Sequence, residues 1–300
     1  MTVLAVVGPT ASGKSAAAVE IARARVAAGR PTEVVAVDAF TVYRGMDIAT
    51  AKPTTAVRAE LPHHLVDVLA PHEQLTAAGF RRLARQTIDG VRARGATPLL
   101  VGGSGLYFRA VVDPLAFPPT DPAVRAAIER RWADDPTGAH AHLAARDPDA
   151  AARIEPGNLR RTVRALEVIE LTGTSFSGFD DGFERYESIY LDLEVGYLEP
   201  DPATLRDRID RRAAAMVEQG LLDEARRLRG TGALSRTAAQ AIGYAEAFMV
   251  LDGRLAEEQL APAIARRTWR YAKRQRSWFR ADPRCTAEEA GELIARFTAA

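Results

Sequence analysis

The sequence predicts an α/β protein in which helices flank a parallel β-sheet. Continuous apolar strands alternate with helices over the first 113 residues, a pattern typical of parallel strands that are buried on both faces. The segment "GPTASGKS" at residues 8–15 joins the first strand to the first helix and fits the phosphate-binding pattern G-x-x-x-x-G-K-[ST]. Together these features predict a P-loop NTPase-like sheet, which a helical insertion then interrupts.

Four strands and two helices are predicted before the insertion. The strands are "TVLAVVG", "EVVAVD", "HLVDVLA" and "TPLLVGGSG", each a short apolar run. The first helix, "GKSAAAVEIARARVAAG", is closed by Gly29, and the second is the amphipathic "AAGFRRLARQTIDGVRARG". Alternation of this kind indicates a parallel sheet that helices cover on both faces.

The strand pattern stops at residue 113 and resumes near residue 187. Between them lie a proline-rich turn, three helical segments and the loop "GFDDGFERYES". We therefore predict a catalytic core made of residues 1–113 and 187–300, and a helical insertion domain at residues 114–186. After the insertion, "IYLDLEV" is predicted to be a strand and residues 201–230 one long helix with Asp201 as N-cap. Two further helices are predicted around residues 238–251 and 257–280.

The composition excludes several classes of protein. The chain has 300 residues and a net charge of +1, so nucleic acid would have to be bound by local basic patches. Cys285 is the only cysteine, which excludes an internal disulfide and a cysteine zinc site. No apolar run approaches the ~20 residues of a membrane span, and the N-terminus lacks the basic region of a signal peptide. We expect a soluble cytoplasmic protein.

The phosphate loop predicts a bound phosphate chain and Mg²⁺. Its glycines let backbone N–H groups turn toward an anion, and the following helix adds partial positive charge. In such sites the lysine, here Lys14, contacts the terminal phosphates, and the following hydroxyl, here Ser15, is a Mg²⁺ ligand. The motif does not specify that the phosphate compound is ATP.

Asp38 ends the second predicted strand, in "AVDAFTVYRG". Because ligands of open α/β sheets bind beyond the carboxyl ends of the strands, Asp38 is expected near Lys14. It could cap a turn, bind Mg²⁺ or act as a general base toward an incoming nucleophile. Spacing alone does not separate the last two roles.

Several blocks then occur in a fixed order along nearly the whole chain. They are "GPTASGKS", "VDAFTVYRGMDIATAKP", "HHLVDVLAP", "LLVGGSGLYFRAVV", "RRTVRALEVIELTG", "IGYAEA" and "YAKRQRSWFR". In this order the chain resembles the bacterial tRNA dimethylallyltransferases, also called tRNA isopentenyltransferases. The blocks "YRGMDIATAKP" and "YAKRQRSWFR" are specific to this resemblance, since P-loop proteins at large do not share them.

The resemblance implies a reaction and its partners. A dimethylallyl group would pass from dimethylallyl diphosphate to N6 of adenosine 37 in the anticodon stem-loop of tRNA, releasing pyrophosphate. Asp38 would be the general base, with Lys14 and Ser104 also at the catalytic centre. The family also implies a monomer with Mg²⁺ as cofactor.

The resemblance also implies binding residues. Those for the diphosphate are Gly8, Pro9, Thr10, Ala11, Ser12, Gly13, Lys14, Ser15, Arg208 and Arg212. Those for tRNA are Asp38, Ala39, Phe40, Thr41, Ser104 and Arg125. Basic clusters next to a tRNA site add Arg160, Arg161, Arg164 and Arg274 as candidate phosphate contacts.

The chain departs from the family at the adenosine site. "DAFT" stands where the family has "DSMQ" or "DAMQ", and "DIATAKP" where it has "DIGTAKP". Phe40 could still stack on a base, whereas the hydrogen bond of the family glutamine would be lost or replaced by Thr41. These changes concern the adenosine contacts more than the reaction.

Other groups have a structural interpretation. His63, His64, His72, His140 and His142 are expected to be structural, because no cysteine or second histidine pair supports a metal site. The aromatic residues of "RRTWRYAKRQRSWFR" are expected to pack on the sheet, leaving the basic face of that helix for the RNA backbone.

Three alternative functions remain open at this stage. The first is a P-loop kinase of a small metabolite, in which Asp38 activates a hydroxyl. The second is a non-enzymatic RNA-binding module with a vestigial loop, and the third is a prenyltransferase of free adenine nucleotides. The insertion and the basic C-terminal helix favour a tRNA-sized substrate over the small-molecule alternatives.

Overall fold

The computed structural model describes residues 2–179 and 182–300. They form two compact units, Met1–Asp113 with Ser188–Ala300 and Pro114–Glu187. Residues 180 and 181, the third and fourth of the predicted loop "GFDDGFERYES", lie outside the described residues.

A parallel sheet forms the centre of the first unit. Its strand order is β3-β2-β4-β1-β5-β6, and the strands are β1 Val3–Val7, β2 Thr32–Val37, β3 His63–His64, β4 Thr97–Gly102, β5 Leu193–Leu198 and β6 Ala287–Glu288. Every residue of β1 is buried, as expected for a central strand that is covered on both faces. The predicted α/β fold with a parallel sheet and flanking helices is confirmed.

The helices follow the chain order of the sequence blocks. Before the insertion they are α1 Lys14–Ala27, α2 Thr55–Glu60, α3 Ala77–Ala93 and α4 Gly105–Val112. The second unit contains α5 Pro122–Arg131, α6 Pro136–Arg146, α7 Pro148–Arg153 and α8 Leu159–Thr172. The remaining ones are α9 Pro202–Glu218, α10 Leu221–Gly230, α11 Arg236–Ala239, α12 Tyr244–Leu251, α13 Leu260–Ala281 and α14 Ala290–Ala299.

The two faces of the sheet bury separate apolar clusters. On one face, Ile21 of α1 packs with Leu4, Leu99 and Phe297 of α14. A β-carbon at Gly196 would lie 2.1 Å from the Leu293 side chain, so α14 packs closely against β5. The larger cluster on the other face includes residues of α3, α4, α9, α10 and α13. Helices therefore pack against both faces of the sheet.

The second unit has a helical core of its own, built around residues such as Leu143, Val163 and Leu166. Glu167, which is fully buried, accepts hydrogen bonds from Arg125, Arg164 and Thr120. The surrounding donors hold the pKa of Glu167 below its ordinary value, although burial opposes them. Glu167 thus stabilises the packing of α5 against α8.

Two strand predictions are wrong in extent. Instead of the predicted "HLVDVLA", β3 covers only His63–His64, because Leu65 and Asp67 adopt left-handed backbone conformations with φ of 60° and 58°. The strand predicted at 189–195 lies four residues later, at Leu193–Leu198. An apolar run of this kind predicts that a strand exists better than it predicts where the strand begins and ends.

Two helix predictions are also wrong. The predicted long helix at 201–230 is broken at Gly220, which has φ 88° and begins α10, although Asp201 does cap α9. The helix predicted at 238–251 is divided at Gly243, and β6 and α14 were not predicted. No helix among the described residues is long and apolar enough to cross a membrane.

Candidate active site

The phosphate loop connects β1 to α1 with a tight backbone turn. Ala11 and Gly13 have left-handed φ values of 64° and 96°, and Gly13 is the N-cap of α1 without a side-chain hydrogen bond. The first amides of α1 therefore have no side-chain acceptor at the cap. This leaves them oriented for an anion, as the motif predicts.

Lys14 lies inside the loop that it follows. Its Nζ donates to the carbonyl oxygen of Pro9 at 3.1 Å. Burial and the neighbouring Arg212 lower the pKa of Lys14 to about 8, against the opposing attraction of Asp38. Lys14 is therefore protonated at neutral pH and is the cation nearest to the loop backbone.

Two arginines of α9 converge on the same loop. Arg208 donates to the carbonyl oxygen of Ser12 and Arg212 to the hydroxyl of Thr10, both at 3.4 Å. Burial lowers the pKa of Arg212, while Asp38 acts in the opposite direction. A guanidinium nonetheless stays charged in proteins, so the loop has three cations around it. The structure thus brings together the diphosphate-site residues that the sequence predicts.

Asp38 follows β2 and closes a turn with one carboxylate oxygen. Its Oδ1 accepts from the backbone N–H groups of Phe40 and Thr41 at 2.7 and 3.2 Å. Among the described residues no hydrogen bond involves Oδ2, and the side chain lines the main cavity. One oxygen therefore closes the turn, and the other has no hydrogen-bond partner among the described residues.

A cavity of about 690 Å³ joins these groups. Its polar lining includes Lys14, Asp38 and Arg212. Ile209, Ala213, Met216 and Ile264 from α9 and α13 supply an apolar wall. The volume suits a small-molecule ligand, and the lining suits one that is anionic at one end and apolar at the other.

Phe40 and Thr41 line the cavity next to Asp38. Thr41 Oγ1 is buried and has no hydrogen-bond partner among the described residues. A buried unpaired hydroxyl costs free energy unless a ligand pairs with it. Ala39, the other predicted contact here, does not line the cavity.

Ser104 reaches the site indirectly. It caps α4, accepting from the Tyr107 N–H at 3.5 Å, and shares a hydrogen bond with the Tyr271 side chain. Tyr271 lines the cavity, whereas Ser104 does not. Burial, with Asp38 nearby, raises the pKa of Tyr271, so this phenol is neutral at physiological pH.

The helix α13 contributes residues that the sequence analysis missed. Thr268, Tyr271 and Gln275 lie on one face and line the cavity, and their i, i+3, i+7 spacing inside a quoted block was the available signal. The prediction that its aromatic residues pack on the sheet is correct for Phe279, which contacts Tyr197 with ring centroids 5.6 Å apart. Tyr271 instead lines the cavity. Arg274, predicted to contact tRNA, is exposed, with its guanidinium 5.7 Å from the centre of the Tyr271 ring.

The segment 43–53 is held by buried charges beside the cavity. The Lys52 side chain is 4% exposed, and its Nζ donates to Asp47, Asp67 and the Tyr43 carbonyl at 2.5 to 2.6 Å. Glu224 Oε1 accepts from the N–H groups of Asp47 and Ile48 at 3.2 and 3.1 Å. Tyr244 of the block "IGYAEA" also bonds to Glu224. Glu224 therefore connects this block to the block "YRGMDIATAKP" beside the cavity.

The arginines of the insertion that are predicted to contact tRNA fall into a paired group and an exposed group. Arg125 and Arg164 are paired with Glu167 at 2.7 Å, whereas Arg160 and Arg161 are exposed on α8. The sequence of this unit has nine arginines and no lysine against thirteen acidic residues, a net charge of −4. Any RNA contact here must therefore be local.

His64 and His140 form hydrogen bonds within the fold. His64 bonds to Glu33 at 2.5 Å, and His140 bonds to the carbonyls of Ala151 and Ile154 at 3.0 and 2.8 Å. Within residues 2–179 and 182–300, no group of three or more His, Cys, Asp or Glu could hold a metal ion.

The chain matches a known protein family over most of its length. The sequence pattern that defines IPP transferases matches residues 41–282. The chain belongs to the IPP transferase family. This confirms the family and the transferase class that the sequence predicts.

Curated relatives cover almost the whole chain. A tRNA dimethylallyltransferase of Bifidobacterium longum is 45% identical over 283 residues, which is 94% of this chain and 84% of the relative. One of Salinispora arenicola is 49% identical over 286 residues, covering 94% and 81%.

Solved structures of the family have the same fold. The tRNA isopentenylpyrophosphate transferase of Bacillus halodurans superimposes with a TM-score of 0.71 at 37% identity, covering 99% of this chain and 94% of that one. A eukaryotic dimethylallyltransferase, described as acting on tRNA, gives a TM-score of 0.75 at 25% identity, with coverage of 92% and 69%.

Proposed function

We propose that this IPP transferase moves a dimethylallyl group from dimethylallyl diphosphate to N6 of adenosine 37 in tRNA. The observation that carries the proposal is the arrangement of the cavity. The phosphate loop with Lys14 and Arg212 faces it, an apolar wall adjoins them, and the uncapped Oδ2 of Asp38 is left for chemistry. A kinase would need no apolar wall beside its phosphates, so this arrangement favours a prenyl donor.

The reaction requires that one bond forms while another breaks. N6 of adenosine forms a bond to C1 of the dimethylallyl group, and the C1–O bond breaks with its electron pair leaving on pyrophosphate. The proton released from N6 passes to Oδ2 of Asp38. Lys14, Arg212 and the loop amides stabilise the charge that develops on the leaving group.

Adenosine would enter beside Phe40 and Thr41. A base within a stacked loop must be turned out before its N6 can reach Asp38. Phe40 offers an aromatic face for stacking, and the unpaired hydroxyl of Thr41 offers the hydrogen bond that replaces the family glutamine. The sequence "DAFT" would thus supply both stacking and a hydrogen bond to adenosine, although its side chains differ from those of the family.

Among the residues at the cavity, Ser15 would be the protein ligand of Mg²⁺. Ser15 supplies a hydroxyl at the cavity, but the described residues offer no cluster of acids around it. Mg²⁺ often takes one or two protein ligands and completes its shell with substrate phosphates and water. When bound, the ion would neutralise charge on the diphosphate, with Ser15 as its protein ligand.

The tRNA backbone would meet exposed arginines. Arg160 and Arg161 of α8 and Arg274 of α13 are the exposed members of the predicted set, and phosphate contacts of this kind position an RNA without reading its sequence. The protein would act as a monomer, as the family resemblance implies.

The test uses labelled dimethylallyl diphosphate, Mg²⁺ and unmodified tRNA. We expect label to enter tRNA at N6 of adenosine 37 with release of one pyrophosphate per transfer. Label entering only free adenine nucleotides would replace tRNA as the acceptor, and ATP consumption with a small acceptor would establish the kinase alternative.

A further inference from the structure

Gln275 of α13 links the phosphate loop to the end of β4. Its side chain is buried, at 4% exposure. Oε1 accepts from the Thr10 N–H at 2.9 Å, and Nε2 donates to the Gly103 carbonyl at 2.6 Å. One amide thus joins three segments that are far apart in the sequence, and both of its ends are paired.

The Pro9–Thr10 peptide is held on both sides. Its N–H donates to Gln275, and its carbonyl accepts from Lys14 Nζ at 3.1 Å and from the Ser12 N–H at 3.2 Å. If a diphosphate draws the Lys14 ammonium toward itself, the bond to Gln275 remains on this peptide. The Gln275 bond would therefore keep this peptide in place when Lys14 leaves the Pro9 carbonyl for the anion.

The Gln275 amide packs against Gly103, where any side chain would clash with it. A β-carbon there would lie 2.5 Å from Gln275 Nε2, 2.9 Å from the Gly8 carbonyl and 3.3 Å from Lys14 Nζ. The first two distances are closer than side-chain packing allows. Helix α13, strand β4 and the phosphate loop therefore meet at Gly103 with no room for a larger residue.

We propose that Gln275 is a positioning residue for diphosphate binding, which rests on the proposed function of the same site. It acts through the Pro9–Thr10 peptide and fixes the geometry of the loop. The side chain must accept at Thr10 and donate at Gly103 at the same time. Glutamate lacks the donor and methionine lacks both groups, so neither reproduces the link.

The test compares the full-length wild type with Gln275→Met, which keeps the approximate volume. We expect the affinity for inorganic pyrophosphate with Mg²⁺, measured by calorimetry, to fall roughly tenfold to a hundredfold, as two buried hydrogen bonds are lost. KM for dimethylallyl diphosphate should rise by a similar factor, while tRNA affinity stays within about twofold of wild type. Gln259→Met, at an exposed position beginning the same helix, is the matched control and should leave all of these unchanged.

A second variant, Gln275→Asn, covers the case in which the methionine variant does not fold. Its shorter amide cannot span both partners, so pyrophosphate affinity should fall between wild type and Gln275→Met. A lower melting temperature with unchanged pyrophosphate affinity would show a merely structural role and overturn the proposal. If the wild type transfers no label to tRNA, the proposed function fails instead, and pyrophosphate binding still decides the role of Gln275.

Discussion

The Oδ1 atom of Asp38 accepts a hydrogen bond from the backbone N–H of Phe40 at 2.7 Å. The sequence left three roles open for this carboxylate: a turn cap, a metal ligand and a base. The structure shows that the cap is one of them and that it uses a single oxygen. The cap also holds Phe40 and Thr41 at the cavity, so the proposed base and the proposed adenosine contacts share one turn.

Asp38→Asn should separate the cap from the base. The amide oxygen of asparagine still accepts from Phe40, but the side chain no longer takes a proton. We expect turnover to fall by about 10² to 10⁴-fold, with pyrophosphate affinity and melting temperature close to wild type. Asp38→Ala should show the same loss of turnover and, in addition, a free energy of unfolding lower by about 1–2 kcal/mol. Single-turnover transfer and thermal unfolding measure the two effects; an active Asn variant would exclude the base.

Thr41→Val should reveal what the unpaired hydroxyl does. Because Thr41 Oγ1 has no partner among the described residues, replacing it with a methyl group should leave stability unchanged or raise it. If the hydroxyl bonds to adenosine, kcat/KM for tRNA should fall by about 3- to 10-fold, with KM for the diphosphate unchanged. Equal kcat/KM in wild type and variant would show that this hydroxyl does not contact the base.

The pH dependence of diphosphate binding should follow Lys14. Its pKa is lowered from 10.5 to about 8 by burial, so the ammonium is present below pH 8 and is lost as pH rises through that value. We expect kcat/KM for dimethylallyl diphosphate, which reports the free enzyme, to decline above pH about 8. Lys14→Arg should be slower at every pH but should lack this decline, because arginine stays charged. The same decline in the arginine variant would assign it to another group.

The same shift has a consequence for stability. Between pH 8 and 10.5 the unfolded chain binds the Lys14 proton and the folded chain does not. The contribution of Lys14 to the free energy of unfolding therefore rises with pH over this interval. Denaturant titrations of wild type and Lys14→Met at several pH values in this range measure the difference.

The arginines of the insertion should divide into two groups. Arg160→Ala with Arg161→Ala removes exposed charges, so tRNA affinity should fall and the slope of log affinity against log salt should become smaller by about 1 to 2. Arg125→Ala removes a partner of the buried Glu167, and should lower stability by about 1–3 kcal/mol. Binding titrations at several salt concentrations and thermal unfolding separate the groups. An unchanged salt slope in the double variant would exclude both arginines as phosphate contacts.

The sequence predicted elements well where a single local rule applied. Strand β1, the helix after "GKS" and the N-cap Asp201 follow from apolar runs, a loop motif and a capping residue. It failed at left-handed turns inside runs that otherwise fit a helix or a strand. Gly220, with φ 88°, breaks the predicted long helix, and the left-handed Asp67 is held by Lys52 and Arg58, which lie 15 and 9 residues before it.

What the sequence by itself determined was the chemistry at the ends of the strands. A phosphate loop and an acid after the next strand need no coordinates to be recognised, because each is a local pattern with a physical purpose, whereas Arg208 and Arg212 were predicted from the family resemblance alone. Only the tertiary structure decided that Asp38 divides its oxygens between a turn and the cavity, that Thr41 is left unpaired, and that Gln275 reaches the Thr10 N–H. The Gln275 contact joins residues 265 positions apart, and it exists only because α13 packs beside the phosphate loop.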